Sequence, residues 1–406
     1  MSLFPDSWKL AEAREICSQI VDCVNKTAPV VDYETPYKMI RTTNVKNGRI
    51  DLSGARCVDE ATFIKWNRRL TPRKGDVVLT REAPLGDIGL IRTDDKVFLG
   101  QRTMIFRADG INLDQRFLYY SLLGPTLQAQ ISALGSGSTV EHVRVPDAER
   151  LVIPHPPIGE QRKIAGLLSA YDDLIENNKR RITLLENMAE EIYREWFVRF
   201  RFPGWQEADF EKGLPAGWSI KRLNDILALQ YGKALKSEDR VEGTVPVYGS
   251  SGVVGFHNEA LVERPGIIVG RKGNVGAIHW SDVAFYPIDT VYYVVSDLSE
   301  HFLYYLLHSV NFINNDAAVP GLNRKQAYSN EVLVPKSGLI EQFEELVKPL
   351  YDQKRSLIKM NDNLEKTKNQ LLPRLISGKL SLENLDIQFP PSMQGAQSDS
   401  ADEAAA

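Results

Sequence analysis

The sequence predicts an α+β chain in which two similar mixed α/β domains are separated by two long coiled-coil helices, the whole forming an internal pseudo-repeat. The first observation is that short words recur in order. "FPDSW" (Phe4 to Trp8) returns as "LPAGW" (Leu214 to Trp218), and "GDVVLTREAPLGDIGLI" from Gly75 returns as "GIIVGRKGNVGAIHW" from Gly266. "FLYYSLL" from Phe117 returns as "FLYYLLH" from Phe302, and "LVIPHPPIGEQ" returns as "VLVPKSGLIEQ". These words pair Arg81 with Arg271, Gly86 with Gly276 and Glu160 with Glu341, as a duplicated unit with loops of unequal length requires. The second and third observations are two seams with steps of four and three. One runs through Ile164, Leu168, Tyr171, Ile175, Asn178, Ile182, Leu185, Ala189, Ile192 and Trp196. The other runs through Leu339, Phe343, Leu346, Leu350, Gln353, Leu357, Met360, Leu364, Thr367 and Leu371. A heptad seam needs a partner helix, and each supplies one for the other.

In chain order, the first domain occupies residues 1–156. "DVVLT", "VFLG", "RTMIFRA" and "LVIP" read as short strands rich in β-branched and aromatic residues, and "DQRFLYYSLLGPTLQAQISAL" as an amphipathic helix. The first long helix takes 157–200 and closes at the Pro-Gly punctuation of "FRFPGW". The second domain, 201–336, repeats the plan with "GIIVG", "TVYYVVS" and "EVLVP" as strands and "EHFLYYLLHSVNFINN" as a helix. The second long helix takes 337–380. The remainder, 381–406, is small, polar and acidic, and its composition predicts disorder. About 35 helical residues span roughly 50 Å, so the paired helices make a rigid spacer. Asn178 and Gln353 interrupt the seams, and a polar seam residue fixes register at some cost in stability.

With 406 residues, 43% of them hydrophobic and 25% charged, the chain is an ordinary soluble protein of two or three domains. No stretch approaches the roughly 18 apolar residues of a membrane span, and the start lacks an apolar signal core, so a cytoplasmic protein without a membrane partner is expected. Cys17, Cys23 and Cys57 show no metal-binding spacing and read as reduced thiols, so neither metal nor cofactor is expected. The net charge of −4 conceals an uneven distribution, because residues 381–406 carry five acids and no Lys or Arg, leaving −4 − (−5) = +1 elsewhere. From Arg41 to Arg81 ten Lys/Arg stand against four Asp/Glu, with Phe63 and Trp66 interleaved. Such density suits a phosphate-contacting face, the alternative being a solvated face of mixed charge.

Recognisable catalytic motifs are missing. "YGKALKS" and "ISGKLSL" lack the hydroxyl residue after Lys that a P-loop uses to hold magnesium, and "GRKGNVGA" has the wrong glycine spacing for a dinucleotide turn. There is no H-E-x-x-H or G-x-S-x-G, and "HPPI" and "FPPS" do not match the D/N/S-P-P-Y/F/W of amino-methylating enzymes. The pattern points to a binding protein; a stand-alone DNA-modifying or DNA-cleaving enzyme with an unrecognised site, and a coiled-coil scaffold without DNA binding, are the alternatives.

Over about residues 1–380 the chain resembles the specificity subunit of Type I restriction-modification systems. The match rests on "PPIGEQRKIAGLLSAYDDLIENNKRRITLLENMAEEIYREWFVRFRFPGW", on "VYGSSGVVGFHNEALVERPGIIVGRKGNVGAIHW" and on "VPGLNRKQAYSNEVLVPKSGLIEQFEELVKPLYDQKRSLI". The resemblance implies two target-recognition domains held apart by antiparallel helices, each domain reading half of a bipartite double-stranded DNA target. It also implies a non-catalytic role, with chemistry on modification (methyltransferase) subunits, two of them, and on restriction/translocase subunits. Candidate DNA contacts are Lys/Arg beside glycine- or amide-rich loops. In the first domain they are Arg41, Lys46 and Arg81 with Ser136, Ser138 and Thr139; their counterparts are Arg271, Lys272 and Asn274 with Asn323, Arg324 and Lys325. For Arg81 and Arg271 a salt-bridged structural role is the alternative. Tyr248 and Phe256 are read as packing rather than stacking on DNA. Arg162, Lys163, Arg180, Arg181, Tyr193 and Trp196 are left for the methylating subunits on the outer helix faces.

Overall fold

The computed structural model describes residues 4–135, 142–312 and 321–394. They form two compact units, one containing residues up to Asn177 together with those from Asn361, the other running from Asn178 to Met360. Each unit thus holds part of both long helices. Ser136, Ser138 and Thr139 lie outside the described residues.

In the first unit the strands, apart from a small hairpin at 45–50, are β1 (Lys9–Glu12), β2 (Cys17–Asp22), β3 (Tyr37–Ile40), β4 (Val77–Arg81), β5 (Leu85–Leu90), β6 (Lys96–Leu99), β7 (Thr103–Ala108) and β8 (Val152–His155). An antiparallel sheet has the order β2-β7-β4-β5; β1 pairs with β8 antiparallel and β3 with β6 parallel. All five residues of β4 are buried, in keeping with a continuous apolar start, Val77-Val78-Leu79, rather than an alternation. Helix α1 (Gln115–Leu123) starts where the Asp114 carboxylate accepts from the backbone N–H groups of Arg116 and Phe117, a cap typically worth ~1 kcal/mol. The single helix expected there breaks at Gly124-Pro125 into α1 and α2 (Pro125–Gly135), because proline disfavours helical backbone in the residue before it. A short α3 (Val145–Ala148) precedes β8.

The second unit repeats this plan. Its main strands are β9 (Ser219–Arg222), β10 (Ala228–Tyr231), β11 (Val245–Gly249), β12 (Gly252–His257), β13 (Gly266–Gly270), β14 (Ile278–Ser281), β15 (Tyr286–Pro287), β16 (Val291–Val295) and β17 (Glu331–Val334). The sheet order β10-β16-β13-β14 matches β2-β7-β4-β5, β9 pairs with β17 as β1 does with β8, and β11 runs parallel to β15 as β3 does to β6. Helix α5 (Glu300–His308), capped by Ser299, stands for α1, and α6 (Arg324–Ser329) for α3. The tryptophans of the repeated words close the same turn: the Trp8 N–H donates to Pro5 O at 2.9 Å and the Trp218 N–H to Pro215 O at 3.2 Å. Gly86 and Gly276 both have positive φ, at 94° and 77°, which explains why the repeat keeps glycine there.

The long helices are α4 (Ile158–Tyr193), prolonged by a π turn at Arg194–Val198, and α7 (Ser337–Leu375). Within the first unit they run antiparallel: Asn361 donates to Ile175 O, Lys368 meets Asp172, and Ile164 and Leu168 share a core with Leu375 and Ile376. Within the second unit they are antiparallel again, with Lys354 on Glu186 and Phe343 on Tyr193. On α4 Ile164, Leu168, Ile175, Asn178 and Leu185 are buried and Ile182 is half-buried.

The α7 stripe departs from the expectation. Leu346 and Met360 are 48% and 51% exposed, and Gln353 is exposed, whereas Val347, Tyr351, Lys354, Leu357 and Asn361 are buried; Leu350 and Leu364 are half-buried. The buried stripe of α7 accepts a lysine and an asparagine, so a seam chosen for apolar residues alone comes out partly rotated. Tyr193 also differs: it is buried among Phe197, Tyr305 and Phe343 and is not free for a partner, whereas Trp196 is half-buried on the same core. Residues 381–394, expected as the start of a disordered tail, pack against the first unit. Leu382 is buried, Lys163 Nζ donates to Glu383 O at 2.7 Å, Arg116 donates to Ser392 O, and Phe389 lies over Gly166, where a Cβ would come to 3.0 Å. Scattered apolar residues (Leu382, Phe389) anchor this acidic segment, which composition averages away.

Candidate nucleic-acid interface

Strand register places Arg81 and Arg271 at one position of the repeat. Arg81 N–H donates to Arg102 O and Arg271 N–H to Thr290 O, at 2.9 Å each; in return the Arg81 carbonyl accepts from Val143 at 3.1 Å and the Arg271 carbonyl from Leu322 at 2.8 Å. Arg81 therefore ends β4 and Arg271 directly follows β13, and each receives the segment that leads into α3 or α6. The same hydrogen bonds align Arg144, which precedes α3, with Asn323, which precedes α6.

Equal register does not mean equal electrostatics. Arg81 is 7% exposed, and its Nη1 donates to Asp22 Oδ2 at 2.8 Å; Arg69 holds the other Asp22 oxygen. Glu82 pairs with Arg102 and His142, each at 3.3 Å. This is the salt-bridged role, and Arg81 is enclosed rather than presented. The neighbouring basic window is also partly neutralised, with Lys74 on Asp94 and Arg49 on Glu365. Lys46 is exposed in the 45–50 hairpin; Arg41 is half-buried after β3.

In the second unit the position of Asp22 is taken by Tyr231. Tyr231 pairs in register with Tyr292, which pairs with Val269, just as Asp22 pairs with Met104, which pairs with Leu79. The Arg271 guanidinium lies 5.0 Å from the Tyr231 ring centre and 5.8 Å from that of Tyr292, and donates to Asp289 O. Arg324, at the start of α6, lies 5.1 Å from the same Tyr231 ring. Burial pushes the Tyr292 phenol above its usual range, so it stays neutral and donates to Leu322 O at 3.0 Å. A ring face holds a guanidinium without cancelling its charge.

Around this core stand the other candidates. Lys272 is exposed, 3.8 Å from Asp289, and its backbone bridges to Gly321; Asn274 is exposed, with its N–H on Ser250 Oγ. Asn323 caps α6 by accepting from the Lys325 N–H at 2.9 Å, and Lys325 is exposed. The structure thus brings together Arg271, Lys272, Asn274, Asn323, Arg324 and Lys325, while Arg41, Lys46 and Arg81 occupy separate elements. Tyr231, 47% exposed, was not foreseen. Its only sequence signal was an aromatic ending a strand just before Gly232. Tyr248 packs on Phe285, whereas Phe256, read as packing, is exposed.

Such a surface can hold polyanionic phosphate with cations and amides and stack or hydrogen-bond bases with Tyr231 and the guanidiniums. Among the described residues no His/Cys/Asp/Glu group could hold a metal ion, and no helix is long and apolar enough to cross a membrane.

The sequence profile of the Type I restriction modification DNA specificity domain matches residues 8–187 and again 215–337. The MjaIX specificity subunit of Methanocaldococcus jannaschii is 27% identical over 365 residues, 82% of this chain and 83% of that protein. The MjaVIII specificity subunit of the same organism is 22% identical, over 94% of this chain and 95% of its own. The crystal structure of a Type-I restriction-modification system S subunit from M. genitalium shares the fold with a TM-score of 0.57 at 22% identity, covering 92% of this chain and 98% of that one.

Proposed function

Because the chain belongs to the Type I restriction modification DNA specificity family and matches its domain twice, we propose that it is the sequence-reading subunit of a Type I restriction-modification complex. It selects DNA without carrying out chemistry, and each unit reads one half of a bipartite double-stranded target. The observation that carries the DNA contact is the pair of arginines sharing the exposed Tyr231 ring, beside Lys272 and Lys325. In this reading the second unit contributes more phosphate attraction at this position than the first, where Asp22 neutralises Arg81.

Two modification subunits would dock on the long helices, with restriction/translocase subunits joining them. Exposed apolar residues support that: Leu174, Leu184 and Met188 on α4, with Leu346 and Met360 on α7. Arg181 is exposed beside them, whereas Arg162 leans on Asp114 at 3.9 Å and Lys163 is taken by Glu383.

The test is methylated-base sequencing of DNA from cells carrying the chain with its modification subunits. A motif of two half-sites with a fixed gap is expected, and a single continuous motif would overturn the bipartite reading. Charge reversal at Arg271 and Arg324 should degrade one half-site and leave the other intact.

A further inference from the structure

Each unit contains an ionic triad, buried at its centre, that joins its sheet to both long helices, and the two triads have opposite polarity. In the first unit Asp172 of α4 is the centre. Its oxygens accept from Arg92, just after β5, at 3.0 Å, from Lys368 of α7 at 2.8 Å, and from the Tyr120 hydroxyl at 2.7 Å. In the second unit Lys354 of α7 is the centre, 3.1 Å from Asp282, just after β14, and 2.9 Å from Glu186 of α4. The central side chains are 4% and 9% exposed, so both charges are withdrawn from water. Burial opposes ionisation in each, yet Lys368 and Arg92 hold the Asp172 carboxyl below its usual range, and Asp282 and Glu186 hold the Lys354 ammonium above its own.

These positions are equivalents. The displacement of 190 residues that relates Arg81 to Arg271 also relates Arg92 to Asp282. Along the helices a displacement of 182, one more than the word match that pairs Glu160 with Glu341, relates Asp172 to Lys354 and Glu186 to Lys368. It also relates Ser169 to Tyr351, which meet the equivalent hydroxyls of Tyr120 and Tyr305. Every member of the triad therefore has its sign inverted. The result is that α4 carries two acids 14 residues apart and α7 two lysines 14 residues apart, a spacing of two heptads.

We propose that this inversion is a partner-selection device: the α4 seam accepts only a helix that presents the α7 lysines, and the chain's two halves are built to reject copies of themselves. In the observed pairing Asp172 faces Lys368 and Glu186 faces Lys354. Were a second α4 to replace α7, Asp172 would face Glu186 of the copy, and the reverse, giving acid against acid twice. Two α7 helices would set Lys354 against Lys368 twice. Duplication alone leaves both halves able to self-pair, and a like charge set against the buried Asp172 or Lys354 removes that option. The permitted partner is α7, whether from the same chain or exchanged from a second copy.

The test uses the folded full chain with a protease site inserted at the exposed Gly204–Gln206 segment. After cleavage the sample is diluted, reconcentrated and weighed by native mass spectrometry. Wild type should return only the pair of N-terminal with C-terminal fragment; a statistical mixture with both like pairs would overturn the proposal. The chain carrying Asp172→Lys, Arg92→Asp and Lys368→Asp gives both triads one polarity, keeps the observed pairing matched, and makes like pairs matched too. Like pairs should then rise by roughly a hundredfold, the scale of a relieved like-charge contact. A folded variant that still forms only the mixed pair would overturn it as well. Should that chain fail to fold, Asp172→Asn with Lys368→Gln relieves the acid opposition without reversing charge, and the absence of the N-terminal like pair from it counts equally against the proposal.

Discussion

Arg81 and Arg271 share a strand register and a place in the repeat, but what surrounds them separates their roles. With Asp22 as partner, Arg81→Ala leaves a partly buried carboxylate to Arg69 alone and should cost about 2 kcal/mol, less than the ~3–5 of a fully buried pair. Arg271→Ala loses a cation–π contact of ~0.5–1 kcal/mol in stability but one phosphate or base contact on DNA, about 1–3 kcal/mol of affinity, and lowers the salt slope by ~1. Melting of the two variants, with DNA titrations of the assembled complex at several salt concentrations, checks both; equal salt slopes would mean that Asp22 does not decide the matter. Charge also sets a pH dependence. The depressed Asp172 carboxyl contributes stability that is full above the unfolded value of ~3.9 and lost as pH falls through its lower folded value. The raised Lys354 ammonium contributes stability that is full below ~10.4 and lost as pH rises through its higher folded value. Melts of Asp172→Asn should therefore converge on wild type in acid, and those of Lys354→Met in alkali. The arginine pair was legible in the sequence because both repeats keep it. Asp22 and Tyr231 were not, since the strands that carry them, Cys17–Asp22 and Ala228–Tyr231, share no word with each other.

Among the elements, the two long helices and the central strands were readable from periodicity and β-branched runs, and the repeat located both copies. What escaped was rotation. In α4 apolar residues fill most of the stripe, so the seam through Ile164, Leu168 and Ile175 follows the buried face. In α7 the buried face includes Lys354 and Asn361, and a reading that favours leucine and methionine slides to Leu346 and Met360. Burial of a lysine becomes legible only when its partners are known, and Asp282 comes from another element. This rotation is measurable by truncation. Val347→Ala removes packed methyl groups from the second core and should cost about 1–3 kcal/mol, whereas Leu346→Ala and Met360→Ala should stay within ~0.5 in the isolated chain. The exposed pair gains a second readout once modification subunits are present. If they form the docking face, the same truncations weaken assembly while leaving the melting temperature in place.

For the whole molecule, the proposal of two readers on one helical pair makes the DNA gap a matter of helix length. Adding one heptad to each of α4 and α7 at matched places preserves the seam, because seven residues return the apolar stripe to within ~20°. The insertion lengthens each helix by about 10.5 Å. At ~3.4 Å per base pair that corresponds to about three extra base pairs between the half-sites. Three base pairs also turn the duplex by roughly 105°, since a turn takes 10–10.5 of them, whereas the helical pair turns far less. The lengthened protein must therefore twist the intervening DNA or bind it out of phase. The expected outcome in methylated-base sequencing is two unchanged half-sites, a gap wider by about three base pairs, and a lower methylated fraction. An unmatched insertion into α4 alone displaces Asp172 or Glu186 from its lysine, depending on which side it falls, and should instead destabilise the chain. Altered half-sites at a constant gap would mean that the helices do not set the spacing and that each unit finds its own position on the DNA.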